Sequence, residues 1–166
     1  MNMLRKTNKN DIDKIYILYK ATASTLGGLA RDKEEITEEY ISNFVTQSLS
    51  RGLSLVIEKN GDIIGEIHAF RPEPKVFHHI FSELTICIHP NHQGTGYGRK
   101  LFSRFMTIIQ DETQDIKRVE LIARESNAKA ISFYKSFDFE IEGCLKNRIN
   151  SISNKLENDI PMGWLR

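Results

Sequence analysis

The sequence predicts an α/β chain with a mixed sheet, and three observations carry that expectation. Apolar residues recur at helical spacing in four separate stretches. Alternating apolar segments lie between them, three in succession before Pro90. A glycine-rich turn, Gln93-Gly94-Thr95-Gly96-Tyr97-Gly98, then joins the third of these segments to a helical pattern.

A chain of 166 residues is expected to form a single domain spanning 1–166, large enough to bury a core without staples. Its 40% hydrophobic and 27% charged content is ordinary for a soluble protein. A net charge of +1 gives no global field toward nucleic acid or an anionic membrane, so neither is expected as a partner. Cys87 and Cys144 lie far apart and form no CxxC, which suits reduced structural thiols. The five histidines are scattered and suggest no metal. Neither a signal peptide nor a membrane-length apolar run is evident, so a cytoplasmic protein is expected.

Taken in order, a short first strand is expected at about Met3 to Lys6. Ile12, Ile15, Leu18 and Tyr19 then mark a helix to about Ala21, with Asn10 or Asp11 as its cap. The small-residue stretch Thr22 to Arg31, including Gly27-Gly28, reads as a loop, either a plain connection or a substrate border. A second helix is expected from Asp32, with Glu34, Glu35, Glu38 and Glu39 at its dipole-favoured start. Leu53 to Glu58 and Ile63 to Phe70 read as strands joined at Asn60-Gly61, a hairpin pair suited to positive φ. The next strand, about His79 to His89, sets Phe81, Glu83, Thr85, Cys87 and His89 on one face. Tyr97 to about Asp111 is a helix, Val119 to Ala123 a strand, and Asn127 opens a short helix. Phe139 to Leu145 and Asp159 to Leu165 close the chain as strands around a polar loop, Lys146 to Asn158.

A glycine turn between strand and helix offers free backbone N–H groups and the positive end of a helix dipole, which suits a phosphate. The sequence lacks the Gly-Lys-Ser/Thr of a P-loop. Its glycines fall as G-x-G-x-G, unlike a dinucleotide fingerprint, which also needs a matching acidic residue about twenty positions on. The run Ile88 to Gly98 instead resembles the “V-x-P-x-x-Q/R-G-x-G-x-G” motif of the GNAT N-acetyltransferase family. Downstream, Asn127-Ala128-Lys129-Ala130-Ile131-Ser132-Phe133-Tyr134 is similar to that family's N-x-x-A-x-x-F-Y motif. The element order matches over nearly the whole chain. Where relatives often have Gly before Phe139, this chain has Asp138, a residue that tolerates left-handed backbone.

The resemblance implies the GNAT-like acyl-CoA N-acyltransferase fold: a central mixed twisted sheet of about seven strands flanked by about four helices. It implies acetyl-CoA as co-substrate and a primary amine of a small molecule or protein as acceptor, attacking the thioester directly. Gln93, Gly94, Thr95, Gly96, Tyr97 and Gly98, with Arg99, would bind the CoA pyrophosphate. Ile86, Cys87 and Ile88 would meet the pantetheine arm through their main chain, and Asn127 and Phe133 would add cofactor contacts. Tyr134 aligns with the family's tyrosine beside the sulfur, and a phenol of pKa about 10 suits protonation of a thiolate. Glu83, with Thr85 on its face, is the candidate base; Glu66 and His68, which share a face of the preceding strand, are its rivals. No metal is implied, and homodimers are common among relatives. A non-catalytic acyl-CoA-binding or regulatory module on the same fold is the alternative.

Overall fold

Asn60 and Gly61 take φ of 54° and 89°, the left-handed pair that a two-residue hairpin demands, and the strands on either side form as expected. The computed structural model describes residues 2–25, 29–150 and 155–166. Within these the chain separates into two compact units, Met1–Phe70 with Thr85–Thr113, and Arg71–Leu84 with Gln114–Arg166. Gly27, Gly28 and the middle of the polar loop, 151–154, lie outside the described residues.

In the first unit, β1 (Asn2–Lys6), β2 (Gly52–Lys59) and β3 (Asp62–Phe70) form an antiparallel meander. Leu4 stands opposite Ile57 and Leu53 opposite Ala69, with a bulge between Ile57 and Glu58. The second half of β4 (Ile80–Ile88) follows, and His89 N donates to Ile64 O at 2.9 Å just beyond its end. Helices α1 (Ile12–Ala23) and α2 (Glu38–Arg51) bury Ile15, Leu18, Tyr19, Ile41, Phe44 and Val45 in one core with Val56 and Ile63. Helix α3 (Tyr97–Glu112) buries Leu101, Phe102, Phe105, Met106, Ile108 and Ile109.

The helix starts differ in detail from expectation. Asp11 takes the cap position of α1 as expected, though its side chain does not cap that helix; Asn8 begins a separate turn before it, where its side chain accepts from Asn10 N, and Asp11 Oδ2 accepts from Asn8 N in return. That box closes a turn over Lys9–Asp11 before α1. The second helix begins at Glu38, where Thr37 Oγ1 accepts from Tyr40 N, so Glu34 and Glu35 belong to a separate turn, Lys33–Glu35.

In the second unit, Ile80 and Phe81 of β4 pair in parallel with Arg118 and Val119 of β5 (Arg118–Arg124). Strand β8 (Leu156–Leu165) runs antiparallel to β5, with Val119 opposite Trp164 and Ala123 opposite Ile160. Helix α4 (Ala128–Lys135) leads to a left-handed Asp138, φ 63°, so Asp fills the place where relatives often have glycine. Both β6 (Glu140–Ile141) and β7 (Leu145–Asn150) pair with β8. The expected loop Lys146 to Asn158 is therefore partly strand, from Lys146 to Asn150 and from Leu156 on. Opposite Glu140, Gly163 leaves room for the Arg118–Glu142 ion pair: a Cβ there would lie 2.6 Å from Glu142 Oε1.

Among the described residues there are eight strands and four α-helices, with one parallel pairing among antiparallel ones. The mixed α/β class holds. No described helix is long and apolar enough to cross a membrane.

Candidate functional site

The glycine loop begins where β4 ends. Pro90 starts a single turn, Pro90–His92, whose entry is fixed by Asn91 N donating to His89 Nδ1 at 3.2 Å. Gln93 Nε2 donates back to Ile88 O at 3.0 Å, and Thr95 Oγ1 donates to His92 O at 2.6 Å. These bonds stiffen the chain without using the amides beyond them. Gly94 and Gly96 then adopt φ of 72° and 87°, a conformation L side chains rarely take, and a Cβ at either would meet nothing within 4 Å. Gly96 caps α3 without a side chain, so no side chain of the cap residue covers the positive end of this 16-residue helix. The surroundings are cationic as well: after desolvation, Lys59 and His89 hold the His92 imidazole below its ordinary value. Arg99 is exposed beside the turn. A glycine turn that leads into the N-terminus of a long helix fits a pyrophosphate.

Ile86, Cys87 and Ile88, the end of β4, sit in the first unit with Gln93 to Arg99. Cys87 is buried, and its thiol donates to Thr22 Oγ1 at 3.1 Å. Burial pushes that thiol up to about 12, with a smaller opposing effect from Thr22, so the thiolate needed of a nucleophile is suppressed. Glu83 lies in the second unit, exposed, at φ 56° within β4. A left-handed residue interrupts the pleat, so the even alternation expected to align Glu83 with Thr85 does not carry through it.

Glu66 and His68 share a face of β3, as their spacing requires, but that face is buried: Glu66 is 0% and His68 3% exposed. Tyr19, Ser54 and Thr7 join them in one hydrogen-bonded group that sequence reasoning did not find. By spacing alone Tyr19 belongs to the apolar stripe of α1, which hides its polar role. The available signal was chemical, since a buried tyrosine hydroxyl needs a partner.

In the second unit, Asn127 Oδ1 accepts from Ala130 N at 3.1 Å and caps α4. Phe133 and Tyr134 follow on that helix, with Tyr134 half-buried and its ring 5.5 Å from Phe133 and 6.1 Å from Phe139. Burial pushes the Tyr134 phenol up to about 12, so it stays protonated at neutral pH.

Residues 13–139 match the model of the acetyltransferase (GNAT) family. The chain belongs to the GNAT acetyltransferase family. As a GNAT protein it is 26% identical over 142 residues to the L-amino acid N-acyltransferase MnaT of Escherichia coli (strain K12), covering 83% of this chain and 79% of that one. Its fold superposes on a GNAT acetyltransferase of Streptococcus pneumoniae with a TM-score of 0.88 at 22% identity, over 100% of both chains. The putative acetyltransferase yncA of Salmonella typhimurium, solved with acetyl-CoA, matches at a TM-score of 0.83 and 20% identity, over 99% of this chain and 94% of that one. The eight strands and four helices found here are thus those of the GNAT fold.

Proposed function

We propose that this GNAT chain works as one domain and transfers the acetyl group of acetyl-CoA to a primary amine of a small molecule. The open cradle at Gly94 and Gly96 carries the reading. Two neighbours of the same fold, yncA and a phosphinothricin acetyltransferase of Sinorhizobium meliloti, were solved with acetyl-CoA. The name of MnaT points to L-amino acids as the first acceptors to try. A non-catalytic binding module is less favoured, because Tyr134 aligns by its sequence motif with the family's tyrosine beside the sulfur, and burial keeps it protonated.

Acetyl-CoA supplies an activated thioester. The amides of Gly94 to Arg99 hold its pyrophosphate with no buried counter-charge, because glycine lets the backbone approach the anion. The main chain of Ile86 to Ile88 orients the pantetheine arm and presents an amide to the thioester carbonyl. Tyr134 holds a proton for the sulfur when the thiol leaves. Asn127, by capping α4, fixes the helix on which Phe133 and Tyr134 ride.

The test is thiol release from acetyl-CoA against a panel of L-amino acids and simple amines. At least one acceptor is expected to release thiol in proportion to acylated amine. Tyr134→Phe should slow that turnover on the order of 10²-fold, the usual worth of a positioned acid. No acceptor-dependent release across the panel would sink the reading, and an unslowed Tyr134→Phe at every pH would remove the acid role.

A further inference from the structure

Between α1, the start of β3 and the turn after β4, the first unit holds a cavity of about 280 Å³. None of the residues given a part in acetyl transfer lines it. One wall is aliphatic: Leu18, Ile63 and Ile64, all buried, line it together with Ile17, which is 65% exposed. A ligand that covers Ile17 takes apolar surface out of water, the effect that drives most binding in small cavities.

The rest of the lining is charged or polar. Lys14 of α1 and Asp62 at the start of β3 are both exposed. Among the described residues neither makes an ion pair or a side-chain hydrogen bond. Asp11 feels the Lys14 charge, yet it already holds the Arg5 guanidinium at 2.7 Å. Asp62 stands opposite Lys59 in the register of β2 and β3 without pairing to it.

His89 contributes a directed donor. Its Nδ1 accepts from Asn91 N at 3.2 Å, so the neutral ring carries its proton on Nε2. No described residue accepts from that N–H. His92, its ring centre 5.8 Å from that of His89 and its plane tilted by 55°, completes the lining.

One ammonium, one ring N–H and one carboxylate beside an aliphatic wall complement a molecule that carries a carboxylate, an ammonium and an aliphatic chain. An inorganic anion answers Lys14 and His89 but leaves Asp62 facing like charge. An aliphatic amine answers Asp62 alone. Size narrows the choice further: at about 30 Å³ per water the cavity takes roughly nine waters, and leucine has about nine non-hydrogen atoms.

We propose that this cavity is a second small-molecule site, one that binds a free aliphatic α-amino acid. The carboxylate lies on Lys14 and His89, the ammonium on Asp62, and the side chain on Ile17, Ile63 and Ile64. Occupancy needs no acetyl transfer, so the site stands apart from the function proposed above. It adjoins the glycine turn, because His89 and His92 belong to the segment that runs into Gly94 and Gly96.

The full chain, without acetyl-CoA, is titrated with L-leucine while nitrogen-15 amide and ring spectra are recorded. Three probes each lack one feature: isocaproate the ammonium, isopentylamine the carboxylate, and glycine the side chain. Leucine is expected to bind with a Kd on the order of 1 mM or tighter, in proportion to so small a ligand. Its shifts should centre on Lys14, Asp62, Ile63 and His89. Each probe, and inorganic phosphate, should bind at least about tenfold more weakly, the worth of a lost charged hydrogen bond or apolar contact. Asp62→Asn and Lys14→Gln alter exposed residues, so both should keep the wild-type Tm while each weakens leucine about tenfold. Asp62→Asn should also narrow the gap between leucine and isocaproate, a response that general loosening of the fold does not give. Failure to saturate below about 10 mM, a probe or phosphate that binds as tightly as leucine, or variants that bind like wild type would overturn the proposal. Leucine shifts confined to Ile86 to Ile88 and Tyr134 would overturn it too, by moving the amino acid to the acetyl-transfer residues. The two readings fail separately: thiol release with an amine survives the loss of this site, and leucine bound here survives a chain that acetylates nothing.

Discussion

At Asp11 two opposing effects meet on one side chain. Burial by itself would raise its carboxyl. The Arg5 guanidinium, at 2.7 and 2.8 Å, and the Asn8 amide outweigh that, so the folded value lies below the ordinary carboxylate range. A depressed folded value means that the unfolded chain takes up the proton first as pH falls. The contribution to stability is therefore complete above the unfolded value, near 4, and drains away as pH drops through the lower folded value. Arg5 also holds Glu58 at 2.8 Å, so β1, β2 and the turn before α1 share the pair. Urea midpoints for wild type should decline below about pH 4, and Asp11→Asn should start lower yet decline less steeply. Parallel curves for the two proteins would show that Asp11 carries none of the acid sensitivity. Residue-scale facts of this kind were partly legible: Asp138 was expected to tolerate a left-handed backbone and does so at φ 63°. The Glu66 group was not, because Tyr19 reaches Glu66, and Thr7 reaches Ser54, across 47 residues of sequence.

Whole elements were legible wherever their cause is local. Asn60-Gly61 specifies its hairpin through backbone sterics alone, and the stripe Leu101, Phe105, Ile108 marks α3 by period. Strand β7 escaped because five of its six residues are exposed, so no apolar alternation announces it. Its pairing to β8 is a matter of main-chain bonds, and the register shifts near the left-handed Asn147. The start of α2 escaped for another reason: four glutamates suit a helix start anywhere along their run, and the Thr37 hydroxyl decides it. The junction between α2 and β2 yields a prediction that no helix or strand pattern contains. At Gly52 the chain leaves α2 and enters β2 directly, opposite Phe70. A Cβ there would lie 2.2 Å from Ala69 O and 2.7 Å from Phe70 Cα, which are backbone atoms that cannot swing aside. Gly52→Ala should therefore destabilise by about 1–3 kcal/mol, the usual range for overpacking, in urea unfolding. A change under about 0.5 kcal/mol, the scatter of harmless surface changes, would mean that the junction yields freely.

At the scale of the molecule, the glycine turn between strand and helix was legible and the buried polar group was not. Glycines at fixed spacing after a strand mark a turn suited to an anion within a few residues, whereas the Glu66 group is assembled from β2, β3, α1 and Thr7 just after β1 by folding. The cradle can be tested through global stability, because a ligand that binds only the folded chain stabilises it by mass action. At a hundredfold excess over its dissociation constant, acetyl-CoA should add about 2.7 kcal/mol. For a chain of 166 residues that raises Tm by roughly 5–10 °C. Gly96→Ala isolates the contribution of the loop to that rise. Its Cβ projects into open space, so it disturbs no packing and adds only about 1–2 kcal/mol of left-handed strain. On the reading proposed above, the new methyl group would occupy the room that the pyrophosphate needs. Differential scanning calorimetry should find a modestly lower Tm without ligand and a much smaller rise with it. A variant that shifts as far as wild type at matched acetyl-CoA would move the pyrophosphate off this loop.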